Sequence, residues 1–156
     1  MDEFLRNVLQ RAIAELKEEK TLVYTFAFYH DHESGAVSVC ADTLENSREA
    51  VENANSFNMK YFSEFLEEGD YEELELWQAN IGRNLSLGDF AYVNIARYEL
   101  PEGCEINEGF YLAMVRAVIS VQEEVLGIAA SREELIFCCS GADSEVALVW
   151  TEIKGA

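Results

Sequence analysis

The chain is 156 residues long, 49% apolar and 12% aromatic, with a single proline. That suits one domain burying about two-thirds of its extended surface, and it excludes an intrinsically disordered chain, which needs low hydrophobicity as well as high charge. Thirty acids against eleven bases give a formal net charge of −19, which repels nucleic-acid phosphates and anionic lipid head groups. No direct nucleic-acid or membrane-surface binding is therefore expected, and a basic protein is the natural complement, although acidity also serves solubility alone.

Residues 2–19 predict an amphipathic helix, because Phe4, Leu5, Val8, Leu9, Ala12, Ile13 and Leu16 recur at helical spacing. Asp2 is placed to cap it. Residues 21–43 predict a β-hairpin: Thr21 to Tyr29 is β-branched and aromatic on both faces, as in a central strand covered on each side. Asp31 to Gly35 supplies the turn, and Ala36 to Ala41 returns. Thr43 and Ser56 predict caps for two helices, over about 44–54 and 57–68, the second ending at Gly69. Residues 70–81 carry mixed signals. Asp70 with Glu73 resembles a capping box and Leu74, Trp77 and Ile81 fit a helical face, so the segment reads as helix, yet Leu74 and Leu76 alternate with acids as a strand would.

Further on, residues 89–100 favour a strand that Pro101 and Gly103 end. Residues 107–126 predict one long helix, capped by Asn107, stopped by Gly127, and apolar around so much of its circumference that it should be the most buried helix. Ser131 with Glu134 marks a short turn, and residues 135–140 and 145–153 form a last hairpin. Strands and helices come in runs without βαβ alternation, which predicts an α+β fold: a mostly antiparallel sheet of about four to five strands with helices packed on it.

Chemistry-bearing motifs are scarce. The four cysteines, Cys40, Cys104, Cys138 and Cys139, lack C-x-x-C spacing, and alternation sends Cys138 and Cys139 to opposite faces of a strand as buried free thiols. The only histidines, His30 and His32, fall in the predicted hairpin turn, where they read as a solvated polar pair rather than a metal site. No nucleophile elbow and no phosphate loop occurs, and no cofactor is expected. With thirty acids, a carboxylate pair for hydrolysis arises by chance, so that signal has little specificity. Met1-Asp2-Glu3-Phe4 has neither the basic nor the apolar region of a signal peptide, and no run is long enough to span a bilayer, so the sequence reads as cytoplasmic.

One feature is concentrated. Glu64, Glu67, Glu68, Asp70, Glu72, Glu73 and Glu75 are interleaved with aromatic and aliphatic residues, and no base lies between Lys60 and Arg83. Carboxylates beside Tyr71 and Trp77 suit a basic protein partner, the acids meeting its Lys and Arg and the rings supplying anchor area. A solvated helix face whose aromatics point to the core would give the same pattern.

The stretch Asn84-Leu85-Ser86-Leu87-Gly88-Asp89-Phe90-Ala91-Tyr92 resembles, through Ser86, Ala91 and Tyr92, the Trp-Ser-Pro-x-x-Trp-Ala-Tyr-like segment of a bacterial domain family of unknown function. Leu85 and Phe90 stand at the tryptophans and Leu87 at the proline. Tyr24 to Tyr29 and Phe137 to Asp143 are similar as well. The resemblance implies an immunity-like role in toxin–immunity loci and carries over no catalytic residue. The resulting expectation is a binding module that neutralises a basic toxin, such as a nuclease, with the segment 64–77 as its contact surface. An acidic decoy that mimics DNA and a carboxylate-based hydrolase are the alternatives, and the oligomeric state is left open.

Overall fold

The computed structural model describes residues 1–155. Its elements are α1 (Asp2–Glu18), β1 (Thr25–Asp31), β2 (Ala36–Asp42), α2 (Leu44–Glu68), α3 (Tyr71–Leu76), β3 (Tyr92–Glu99), α4 (Glu108–Ser120), α5 (Gln122–Leu126), β4 (Ile136–Cys139) and β5 (Leu148–Trp150), with a single 3₁₀ turn at Leu87–Asp89. The five strands form one sheet in the order β3-β2-β1-β4-β5. All neighbours are antiparallel except β1 and β4, which run parallel from Thr25↔Ile136 to Phe28↔Cys139. The α+β architecture with a mostly antiparallel sheet is the one the sequence predicts.

Strand alternation divides the core between two faces. Phe26, Phe28, Val37, Val39, Phe137 and Cys139 join the buried cluster under α1 and α4, while Ala27, Cys40 and Cys138 join a second cluster with Leu87 and Phe90. β1 is thus central and covered on both sides, by helices on one and by the 84–91 segment on the other. The vicinal cysteines part to opposite faces as alternation requires. Cys40, Cys138 and Cys139 are free and buried, and Cys104 is free and half-buried.

The sheet's edges are blunted. β5 has three residues, and β3 is broken by two register shifts against β2, with Asn94 and Ala96 at positive φ. Bulged or very short edges offer little template to another strand.

Several boundaries correct the sequence reading. α1 is not capped by Asp2: Met1 holds that position without a side-chain bond, and Asp2 lies inside the first turn, where its charge still suits the helix dipole. The first strand begins at Thr25, not Thr21. Residues 44–68 form one helix rather than two, so Ser56 caps nothing; Thr43 does cap, accepting from the Asn46 N–H, and Gly69 closes the helix in the left-handed conformation at φ 74°. α3 is a short helix ending before Trp77, and its capping box is half-made: Asp70 accepts from the Glu73 N–H while the Glu73 carboxylate turns to Trp77.

The predicted 107–126 helix breaks at Val121, which ends α4 and starts α5. The span it covers is heavily buried all the same: Phe110, Met114, Ala117, Val118, Val121, Val125 and Leu126 are seven buried apolar side chains, beside six in α1, Leu5, Val8, Leu9, Ala12, Ile13 and Leu16, while Leu112 is exposed. The i, i+3, i+4 stripe seats those six side chains of α1, with Phe4 half-buried and Ala14 exposed, whereas the near-continuous apolarity of α4 leaves Leu112 on the solvent side. The last hairpin forms, with its return strand trimmed to Leu148–Trp150. Its turn packs so closely that a Cβ at Gly141 would come within 2.5 Å of the Ala147 Cβ.

Candidate functional site

Helix α2 leaves the body soon after it starts. Thr43 caps it, Asn46 donates through Nδ2 to Asp42 (2.7 Å) and to the Asp89 carbonyl (2.8 Å), and the Ser47 hydroxyl accepts from the Asn84 N–H (3.0 Å). Ser47 is the only fully buried residue in its 25. Over roughly 37 Å of helix, α3 is the one element that α2 packs against extensively.

The return path is pinned as firmly as the exit. Arg83 donates to the Tyr24 carbonyl (2.7 Å), the Thr25 hydroxyl (3.1 Å) and the Glu134 carbonyl (2.6 Å), and its guanidinium lies 3.7 Å from the Tyr24 ring centre. The base that closes the base-free window is therefore a structural clamp. Between Ser47 and Arg83 the chain forms an arm fastened at its neck. Reciprocal bonds between Asn55 and Asn80, and a bond from Asn58 to the Gln78 carbonyl, tie its two limbs together.

Aromatic side chains hold the arm's outer half. Trp77 stacks on Tyr61 with ring centres 4.6 Å apart, meets Phe57 edge-on at 6.1 Å, and donates its indole N–H to the Glu73 carboxylate at 3.2 Å. Such stacks contribute about 0.5–1.5 kcal/mol beyond their area. Trp77 is half-buried and fastens α3 to α2.

The other sequence-predicted site residues are brought together on this arm. Glu64, Glu67 and Glu68 lie in the last turns of α2, Asp70 is the cap of α3, and Tyr71, Glu72, Glu73 and Glu75 lie on α3 itself. All except Glu73 are exposed. Among the described residues, the ion pairs are Arg97–Asp31 and the two made by Arg132 with Glu123 and Glu152, so none of the seven acids is paired. Two halves of the cluster differ in their local cost. Glu72 and Glu73 sit in the first turn of a helix, where negative charge is favoured, whereas Glu64, Glu67 and Glu68 approach the C-terminal end of α2, which has no base in its last turn. Carboxylates there oppose the helix dipole by a few tenths of a kcal/mol each.

A second cluster corrects the histidine reading. His30 is not in the turn; it lies in β1 and is 2% exposed, while His32 is exposed in the turn that follows. The His30 backbone N–H donates to the Ser140 hydroxyl, its Nδ1 lies 3.1 Å from the Tyr111 hydroxyl, and its ring stands 4.4 Å from that of His32. His32 donates through Nε2 to the Gly141 carbonyl at 3.1 Å. Burial lowers the His30 pKa, the charge of His32 lowers it further, and Asp31 opposes both. Both rings and Cys104 line a cavity of about 450 Å³. Among the described residues no three His, Cys, Asp or Glu side chains are placed to hold a metal ion. No sequence signal could have found this arrangement, because Tyr111 and Ser140 lie far along the chain.

Two further charged groups serve the framework. Asp42 is fully buried, and one of its oxygens accepts from the Thr43 and Ala91 N–H groups as well as from Asn46; burial raises its pKa. That carboxylate bridges the sheet, α2 and the 89–91 segment. Asp31, held well below the usual carboxylate range by bonds from Ser34 and Arg97, fixes the β1–β2 turn. A cavity of about 850 Å³ between the end of α1 and the start of α2 is lined by charges of both signs, among them Glu19, Lys20, Glu45, Arg48, Glu49 and Glu52. None of the described helices is long and apolar enough to cross a membrane. No family model, curated protein or solved structure matches the chain.

Proposed function

We propose that the chain is a protein-binding module that captures a basic protein through the α2–α3 arm, acting as an immunity-type protein that covers the cationic site of a toxin such as a nuclease. The observation that carries this reading is the set of seven unpaired carboxylates on an arm fastened only at its neck. A helix whose sole role was to pack would bury a stripe, and α2 buries one serine. Acids set against the dipole at its C-terminal end cost stability in the free protein, and a partner's Lys or Arg side chains would turn that cost into attraction. The resemblance of residues 84–92 to a family found in toxin–immunity loci points the same way.

The test is photo-cross-linking in the native host from position 71 or 76, with the adduct identified by mass spectrometry. The expected product is a strongly basic protein, and its yield should fall in the triple variant Glu68→Lys, Glu72→Lys, Glu75→Lys as salt-dependent association slows. Adducts with acidic proteins only, or a yield untouched by the triple reversal, would remove the basis of the proposal. Growth rescue when the chain is co-produced with the captured protein would separate neutralisation from mere binding.

A further inference from the structure

The outward face of the α2–α3 hairpin is rich in apolar side chains that no other described element covers. Leu66 is 61% exposed, and Tyr71 and Leu76 are 71% exposed each. Leu74 of α3 and Trp77 just beyond it turn inward, which leaves Tyr71, Glu72, Glu75 and Leu76 on the solvent side. Large apolar side chains grouped this way mark an interaction surface more often than scattered single ones do. Here two carboxylates sit among them.

We infer that this face seats a cationic amphipathic helix of the partner, with an apolar stripe against Leu66, Tyr71 and Leu76 and Lys or Arg side chains beside Glu72 and Glu75. The inference deepens the proposed function and rests on it. Three observations select the occupant. The surface sets apolar Tyr71 and Leu76 beside acidic Glu72 and Glu75, so its complement must carry apolar and basic positions side by side. Both elements are helices whose backbone groups bond internally, so no strand can add to this edge. The docking segment must bring a satisfied backbone of its own, as a helix in a groove does. A second copy of the chain is disfavoured, because face-to-face docking would set the carboxylates of this face against their own copies, with no base between Lys60 and Arg83 to offset them.

Three labelled synthetic peptides of equal length, about eighteen residues, or five helical turns, test the idea by fluorescence anisotropy. One carries Leu and Lys at helical spacing, one has the same composition in strict alternation, and one is lysine alone. The helical-period peptide should bind at least about tenfold more tightly than either of the others and should gain helical circular dichroism on binding. The double variant Tyr71→Ser, Leu76→Ser should lose about tenfold in affinity, as truncating anchor side chains does. Both positions are exposed, so thermal melts of that variant should match those of the wild type. Equal binding of the alternating or all-lysine peptide, or binding unchanged in the double variant, would show an unspecific field and overturn the inference. So would sedimentation equilibrium showing a dimer that the double variant abolishes. A basic partner cross-linked in the host alongside a failed peptide series would sink the helix alone and leave the proposed function standing; absence of any basic adduct would sink both.

Discussion

Helices α1 and α2 have similar mixtures of apolar and charged residues and opposite fates. The first, at 17 residues, buries six apolar side chains between the sheet and α4; the second, at 25, buries a single serine. The body is held by area removed from water, at about 1.5–3 kcal/mol for each large side chain fully buried. The arm is held by local devices instead: a cap, a glycine turn, a cluster of three rings, and asparagine side chains bonded to the facing backbone. Length and helical propensity therefore say little about what a helix is for. What separates these two is whether a second surface waits for the apolar stripe, and for α2 only α3 does.

The sharpest way to test the contrast is to cut into each region. Phe137→Ala removes a fully buried ring that meets Phe26 edge-on and stacks on Trp150, and should cost about 3–5 kcal/mol in urea unfolding. A loss below about 1 kcal/mol would mean that the sheet's helix-side face is not the core. Trp77→Ala should cost less, about 1–2 kcal/mol, since its ring is half-buried and its gain comes from stacking. Hydrogen exchange should then rise in residues 57–77 and stay unchanged in β1 and β4. If protection fell in the sheet as well, arm and body would form one cooperative unit.

The next effect is pH-dependent and confined to the body. The unfolded chain takes up a proton at His30 near the ordinary value of 6.5, and the folded chain resists it because burial and His32 lower the pKa. The unfolded state thus binds more protons in the window between the lowered value and 6.5, and stability falls as pH drops through it. Thermal midpoints of wild type should decline between pH 7.5 and 5.5 more steeply than those of His30→Gln, which cannot titrate. Parallel slopes would place the imidazole in a more solvated setting than the Tyr111 contact implies. Smallest of all is the effect of Glu68→Lys, Glu72→Lys, Glu75→Lys on folding. Lysine near the end of α2 helps the dipole and lysine at the start of α3 opposes it, so the net change should stay within about 0.5 kcal/mol by thermal denaturation. A larger loss would show the acids to be structural and take away the comparison on which the arm's role rests.

Local chemistry was readable in advance. Thr43, Asp70 and Asn107 cap the helices they precede, and Gly69 turns where its freedom at positive φ is needed, because each acts on a backbone two or three residues away. The hairpin β1–β2 and the acidic window were legible for the same reason. What escaped was decided at a distance. Ser56 looks like a cap, yet α2 runs through it. His30 looks like part of a turn until Tyr111 and Ser140 close over it. Apolarity marked 107–126 as a buried helix, but not its break at Val121 or the exposure of Leu112, which depend on what each residue faces. The roles of Asp42 and Arg83 rest on partners from several segments, and neither has a local signature.

The parallel pairing of β1 with β4 sets the order in which the molecule can be made. β1 lies mid-sheet, and one of its neighbours arrives only with the last part of the chain: the His30 N–H and the Ser140 hydroxyl it bonds are separated by 110 positions. During synthesis at about 5–20 residues per second, the first hairpin must wait on the order of ten seconds with one strand edge open. The arm needs no such delay, since α2, Gly69 and α3 are contiguous and can form as they emerge. A chain that stops before Ile136 is accordingly not a smaller version of this domain; it is a finished acidic arm attached to a hairpin whose unpaired edge invites another nascent chain.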